Sequence, residues 1–432
     1  MKVCVLGLWH LGTVTAACLA SGGHEVVGLD FDSETVRKLR EGQPPLFEPG
    51  LEELIKQGIA AGRLRFCEEV ADGLSGAEVV WVTYDTPVDE EDRANVDFVL
   101  HQVAGLFPNL APGTLVLISS QLPVGTTRRI EQMFRTAYPN KLVTFGYSPE
   151  NLRLGKAISV FTRPERVVVG VRSPADCRRV EELLRPFTEN IEWMSVESAE
   201  MTKHALNAFL ATSVAFINEV ASLCERVGAD AREVERGLKT DTRIGARAYL
   251  SPGSAFAGGT LARDLRFLTQ IGDDRQSPVL LLSAVLASNE AHKLWTRHAL
   301  QSLLGNLRDR KVTVWGLAYK AGTDTLRRSA AIEFCEWLWG EGVRVRAYDP
   351  MVKTLPAALA DKINLFLTPL ASLDGSAALV VVTEWPEFRQ VSGESAFQAM
   401  GNPVVIDPNR FLVSTMGADP RIRYYSVGKA HL

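Results

Sequence analysis

Short apolar runs alternate with segments of helical periodicity through the first 200 residues. "KVCVLGL" (2–8) is a run of strand length that ends at Gly7. The small-residue helical pattern "TVTAACLASG" follows, and then a second run, "EVVGLD", closes on Asp30. This βαβ order predicts a parallel, doubly wound sheet. Further strands are predicted at "AEVVWVTYDTP", "GTLVLISSQLP", "KLVTFGYSPE" and "ERVVVGV". Several close on polar or proline residues, as loops at the carboxyl edge of a parallel sheet do.

The pattern changes after residue 196. "ESAEMTKHALNAFLATSVAFINEVASLCERVG" (197–228) keeps apolar residues at helical spacing without a turn signal, and more helices are predicted to about residue 304. A second strand–helix–strand unit then begins with "KVTVWGLAYK", "SAAIEFCEWLWGEG" and "VRVRAYDP", followed by strands "AALVVVTEW" and "PVVIDPN". The predicted class is α/β, with two Rossmann-like doubly wound domains joined by a helical central domain that contains a long helix. The expected boundaries are 1–196, 197–304 and 305–432.

Composition narrows the function classes. Of 432 residues, 46% are hydrophobic and 23% charged, and the net charge is −4. Nucleic acid and anionic membrane are therefore not expected as partners. No uninterrupted apolar stretch approaches the roughly 20 residues of a membrane span, and none is expected. The N-terminus reads as a strand, so no signal peptide is expected. Cys4, Cys18, Cys67, Cys177, Cys224 and Cys335 are scattered without metal-ligand spacing. They read as reduced core thiols of a cytoplasmic protein, with no metal site.

The chemistry begins at the first βα turn. Gly7-Leu8-Trp9-His10-Leu11-Gly12 follows a strand and opens a helix, and Asp30 ends the next strand. A helix N-terminus with free backbone N–H groups suits a pyrophosphate, and the acidic residue suits the ribose of NAD rather than NADP. Trp9 stands where glycine usually lets the backbone approach the phosphates. Lys203 and Asn207 lie four apart on one helix face, where together they could stabilise a developing oxyanion.

Across nearly the whole chain, "LFEPGLEEL", "LPVGTT", "SPENLRLGKAI", "NAFLATSVAFINEV", "RIG", "GLAYKAGTDTLRRS", "AYDP" and "TEWPEF" occur in an order that resembles the UDP-glucose/GDP-mannose dehydrogenase family. The resemblance implies an NAD domain, a helical dimerising middle and a nucleotide-sugar-binding domain. It also implies a homodimer, and oxidation of a sugar C6 alcohol with NAD. By the same resemblance Gly7, Leu11, Gly12, Asp30, Thr86 and Gln121 serve the cofactor. Glu150, Leu152, Lys203, Asn207, Arg243, Tyr249, Gly258, Lys320 and Arg327 serve the substrate. Lys203 and Asn207 correspond to the oxyanion-stabilising pair, Asp264 to a water-positioning carboxylate, and Glu150 to a general acid/base.

The chain departs from the family pattern in "AFAGGTLARDL" (255–265), where the family carries a thioester-forming cysteine. Read without gaps from Asp264, Thr260 takes that position; with the glycines in register, Leu261 does. The thiol is absent under either alignment, and a threonine hydroxyl is far harder to ionise. Arg263 replaces a usual lysine, Gln121 a threonine and Leu154 a second glutamate, and "DPNRF" stands where IDGR is typical. Four readings follow. The chain is a nucleotide-sugar dehydrogenase acting without a thioester, a redox-neutral enzyme, an inactive nucleotide-sugar binder, or an enzyme using Thr260 as an ester-forming nucleophile.

Overall fold

The computed structural model describes residues 1–87, 94–150, 152–257 and 259–430, which form two compact units, 1–205 and 206–432. The first holds strands β1 (Lys2–Leu6), β2 (Glu25–Leu29), β3 (Leu64–Cys67), β4 (Val79–Val82), β5 (Leu115–Ile118), β6 (Thr144–Tyr147), β7 (Val167–Gly170) and β8 (Ile191–Met194). They make one sheet in the order β3-β2-β1-β4-β5-β6-β7-β8. β1, β4 and β5 are apolar on both faces and buried on both, as strands covered by helices must be. The one departure from parallel pairing is β7, which meets β6 antiparallel at Tyr147 and Gly170.

Helix His10–Ser21 packs closely against this sheet because its residues are small. Nine of them, Gly12 through Ala20, are buried. A Cβ on Gly12 would lie 1.8 Å from the Gly7 carbonyl oxygen, and Gly7 itself has φ +90°. Only glycine fits both ends of this turn.

Helix Val196–Val227 runs 32 residues, close to the predicted span, and the boundary between the two units falls inside it. Its length and composition would suffice to cross a membrane, although Glu200, Lys203 and Glu219 interrupt the apolar run. Its residues sort by face: Lys203, Asn207, Ala211 and Asn218 are buried, whereas Phe209, Phe216 and Leu223 are exposed at seven-residue intervals.

The second unit contains helices Ala231–Thr240, Thr260–Asp274, Leu280–Lys293 and Trp295–Leu304. They precede strands β9 (Lys311–Trp315), β10 (Arg344–Tyr348), β11 (Ile363–Leu365), β12 (Ala378–Val381), β13 (Val404–Ile406) and β14 (Arg423–Tyr425), ordered β11-β10-β9-β12-β13-β14 and all parallel. Trp315 anchors this core. Its ring lies 4.9 Å from that of Phe388, and its indole N–H donates to Ser372 Oγ at 2.9 Å.

The sheets share a local plan. In each, β1 or β9 is followed by a glycine (Gly7, Gly316), and the next amide (Leu8, Leu317) donates to an aspartate just after the next strand (Asp30, 2.6 Å; Asp349, 2.7 Å).

Buried carboxylates hold the helix starts of the first unit. Glu200, fully buried on the long helix, accepts from Gly125 N at 2.6 Å and Thr127 N at 2.9 Å, so it caps helix Thr126–Ala137. Glu200→Ala leaves the buried Thr127 amide and the half-buried Gly125 amide without this partner. This should reduce stability by about 2–3 kcal/mol, read as a fall in the urea midpoint of the first unit.

Candidate functional site

At the carboxyl edge of the first sheet, helix N-termini compete for acceptors. Among the described residues, helices of eight or more residues that directly follow a strand start on a side-chain acceptor: Asp32, Asn95, Glu200, Ser173 or Ser195. The exception is His10–Ser21. Its N-cap is Trp9, whose indole can only donate, and no acidic residue lies in its first turn. The turn therefore keeps unpaired N–H groups and the positive end of the helix dipole for an anion. Trp9 is 49% exposed, so its bulk lies at the surface and not inside the turn. Asp30 accepts only from Leu8 N and Asp32 N (3.0 Å), which leaves capacity for ribose hydroxyls. These residues fit a dinucleotide. Thr86 and Gln121 meet at the ends of β4 and β5, where Thr86 Oγ1 donates to the Gln121 carbonyl at 2.8 Å.

The segment after β6 carries Glu150 and half-buried Leu152. Lys203 Nζ donates to the Glu150 carbonyl at 2.5 Å. Burial raises the Glu150 carboxyl above its ordinary range, against the opposing pull of the Lys203 cation and a hydrogen bond from the Leu152 amide. A carboxylate held this way is poised for proton transfer.

In the second unit, Asn207 Nδ2 donates to Asp264 Oδ2, and both residues are buried. Asp264 lies one turn beyond Thr260, the exposed first residue of helix Thr260–Asp274. Side chains from distant parts of the chain pin the loop leading to this helix. Asn218 accepts from Gly253 N at 3.0 Å, His292 donates to Gly253 O at 2.8 Å, and Asn409 accepts from Ser254 N at 2.7 Å. Asn289 grips Phe256 twice, through its N–H and its carbonyl, both at 2.9 Å. Burial lowers the His292 pKa, against the opposing effect of its hydrogen bond to Gly253. Gly258 lies outside the described residues.

The remaining candidates are spread over the second unit. Arg243 is exposed and paired to Asp241 at 2.7 Å, and Tyr249 is exposed. Lys320 and Arg327 lie on the connection between β9 and helix Ala330–Gly340, which is closed by Tyr319 N donating to Thr325 O at 2.8 Å. Beside it a cavity of about 390 Å³ opens at the carboxyl ends of β9 and β12, where the strand order reverses. Phe256, Trp295, Tyr319, Phe334 and Thr383 line it. Ligands of open α/β sheets bind at such reversals. In "DPNRF", Arg410 is a structural tie: it pairs with Asp230 at 2.7 Å and donates to Ser426 Oγ at 3.1 Å.

Glu48, Glu200, Asn218, Asn289, His292 and Asn409 escape a motif-based reading because each holds backbone. Their signal is polarity at positions that turn out buried; Glu48 and Asn218 lie within recognised motifs but carry no distinguishing spacing.

Three family models match the chain in order. The NAD binding domain of the UDP-glucose/GDP-mannose dehydrogenase family matches residues 1–188, its central domain 197–291 and its UDP binding domain 313–414. A UDP-glucose 6-dehydrogenase of Pseudomonas aeruginosa is 35% identical over 99% of this chain and 98% of its own length. One from Rhizobium meliloti is 34% identical over 99% and 100%. The solved UDP-glucose dehydrogenase of Pyrobaculum islandicum superposes with a TM-score of 0.88 at 28% identity, covering 100% of this chain and 98% of that one.

No thiol is poised for chemistry in this structure. All six cysteines are free and five are buried, with Cys177 half-buried. Burial pushes the Cys18 thiol up to about 12 and that of Cys67 to about 11. Titration of the native protein with a chromogenic disulfide should therefore label at most Cys177 rapidly, and all six thiols only after denaturation.

Proposed function

The chain belongs to the UDP-glucose/GDP-mannose dehydrogenase family and is an NAD-dependent oxidoreductase of nucleotide sugars; we propose that it oxidises the C6 alcohol of a UDP- or GDP-hexose without an enzyme-bound thioester. Residues 1–196 serve as the cofactor domain, 197–304 as the helical dimerising domain and 305–432 as the nucleotide-sugar domain. One observation carries the reading. The polar pairs Lys203 with Glu150 and Asn207 with Asp264 are intact, while the loop where the resemblance puts the family thiol offers exposed Thr260 or, with the glycines in register, Leu261, and every cysteine is packed elsewhere.

NAD, when bound, supplies the hydride acceptor. The backbone N–H groups of the turn from Gly7 to Gly12 would hold its pyrophosphate, Asp30 its ribose, and Leu11, Thr86 and Gln121 would border it. The chain's own residues do the rest. Glu150, ionised, takes the proton of the C6 hydroxyl. Lys203 spends one N–H on the Glu150 carbonyl and retains two for the oxygen on which charge develops. Asn207 stands one helical turn further along the same face, at the spacing at which side chains meet. Asp264, fixed by Asn207, positions water on the aldehyde. A hydrate formed there would lose the second hydride without an acyl-enzyme. Thr260 would need a dedicated base, and Asp264, the carboxylate one turn on, is already engaged by Asn207, so an ester route is disfavoured.

Lys320 and Arg327 serve the diphosphate, and the neighbouring cavity lies beside them for the rest of the nucleotide. Leu152, Tyr249 and Gly258 complete the substrate contacts. The exposed stripe of Leu206, Phe209, Phe216, Leu223 and Val227 supports a homodimer. Exposed Arg243 is the residue a second copy would contribute.

The deciding experiment counts NADH per sugar in a single turnover over a UDP- and GDP-sugar panel. One NADH establishes a two-electron dehydrogenase, and two NADH unchanged in Thr260→Ala establish the hydrate route. Two NADH lost in that variant would establish the ester route and overturn this proposal. No NADH with any sugar would overturn it in favour of the redox-neutral or binding readings.

Acid titration provides a second check. A raised Glu150 stays protonated to higher pH, so kcat/KM should climb with pH through a midpoint above the ordinary glutamate value of about 4.3. Glu150→Gln should remove that limb and lower kcat by roughly 10²-fold or more.

A further inference from the structure

Glu48 is a carboxylate with 1% of its side chain exposed, and it holds together two segments that the proposed function uses separately. Its Oε1 accepts from Ala157 N at 2.8 Å and its Oε2 from Gly155 N at 2.7 Å. These amides open the short helix Ala157–Thr162, which has no side-chain cap of its own. They also end the segment that starts at Glu150. Lys203 fixes the beginning of that segment through the Glu150 carbonyl.

The third partner of Glu48 is His10, whose Nε2 lies 3.0 Å from Oε2. His10 is the first residue of helix His10–Ser21, the helix whose N-terminus is left for an anion. Its ring is largely buried, with 15% exposed, and reaches inward from the turn to the carboxylate.

We propose that His10 and Glu48 are positioning residues that form a relay, through which occupancy of the cofactor turn sets the segment carrying Glu150. An anion drawn to the helix N-terminus orders His10, His10 orders Glu48, and Glu48 fixes the Gly155 and Ala157 amides. The inference rests on the reading that this turn takes the cofactor pyrophosphate and that Glu150 is the base. It adds a route by which the first binding event prepares the second site. A simple structural cap at Glu48 would need only the two amides, because a carboxylate has room for both without an imidazole. That difference makes the relay testable.

The test compares the wild-type chain with His10→Phe, which removes the donor, and His10→Gln, which restores an N–H at similar reach. Amide hydrogen exchange over residues 150–157 is followed with and without saturating NAD, and NAD affinity is measured on the same samples. The relay predicts that NAD slows exchange at Gly155 and Ala157 by about 3-fold or more in wild type and His10→Gln, but not in His10→Phe. NAD affinity should stay within about 3-fold across the three. Equal NAD protection in His10→Phe would sink the relay, as would none in a wild type that binds NAD. A loss of NAD affinity of about 10-fold in His10→Phe would make His10 a cofactor contact and overturn it equally. A wild type that binds no NAD overturns the cofactor reading instead. The resting exchange of the two amides, expected to be about 3-fold faster in His10→Phe, then still decides whether His10 props Glu48.

Discussion

A parallel sheet covered by helices points many helix N-termini at one edge, and each brings backbone N–H groups that need acceptors. This chain meets that demand with side chains, often from far along the sequence. Glu200 reaches helix Thr126–Ala137 from the long helix, and Glu48 reaches the 155–157 amides from a loop more than 100 residues earlier. Ser173, Asn95 and Asp32 act locally. Among the described residues of the first unit, the long helix directly after a strand that is left out is His10–Ser21, next to the reversal of strand order. Anion binding is thus specified as much by where acceptors have been supplied as by the glycines of the turn.

The second sheet shows the same plan put to another use. Asp349 occupies the place of Asp30 but is buried and saturated. It accepts from Leu317, Ala318, Met351 and Val352 amides and from the Trp385 indole, all within 3.1 Å. Such a carboxylate has no lone pair left for a ribose. Ser329 caps the following helix, and the connection before it has lengthened to carry Tyr319, Lys320 and Arg327. The glycine–aspartate tie has become a structural rivet in one domain while remaining accessible in the other.

The interior of both sheets is legible in the sequence because central strands are continuous apolar runs. The four strands that patterning alone does not mark, β3, β8, β11 and β14, are the four sheet edges. Edge strands are short and half-exposed, and Arg65, Glu192, Asn364 and Arg423 break their apolar runs. The same logic divides the candidate site. Residues placed by motif, such as Gly7, Gly12, Asp30, Lys203 and Asn207, sit at strand ends or on one helix face, where spacing encodes position. The loop 253–256 depends on Asn218, Asn289, His292 and Asn409, which converge only in three dimensions and leave no local spacing to read. Trp9 looks disruptive in the linear motif, yet the folded turn accommodates it by placing the ring at the surface.

Because that loop is held from outside, residue 260 carries none of its architecture. Thr260 is exposed at a helix start, after a loop whose backbone bonds end on other side chains. A side chain at this position supports no packing and caps no buried group, so the fold is indifferent to which residue occupies it.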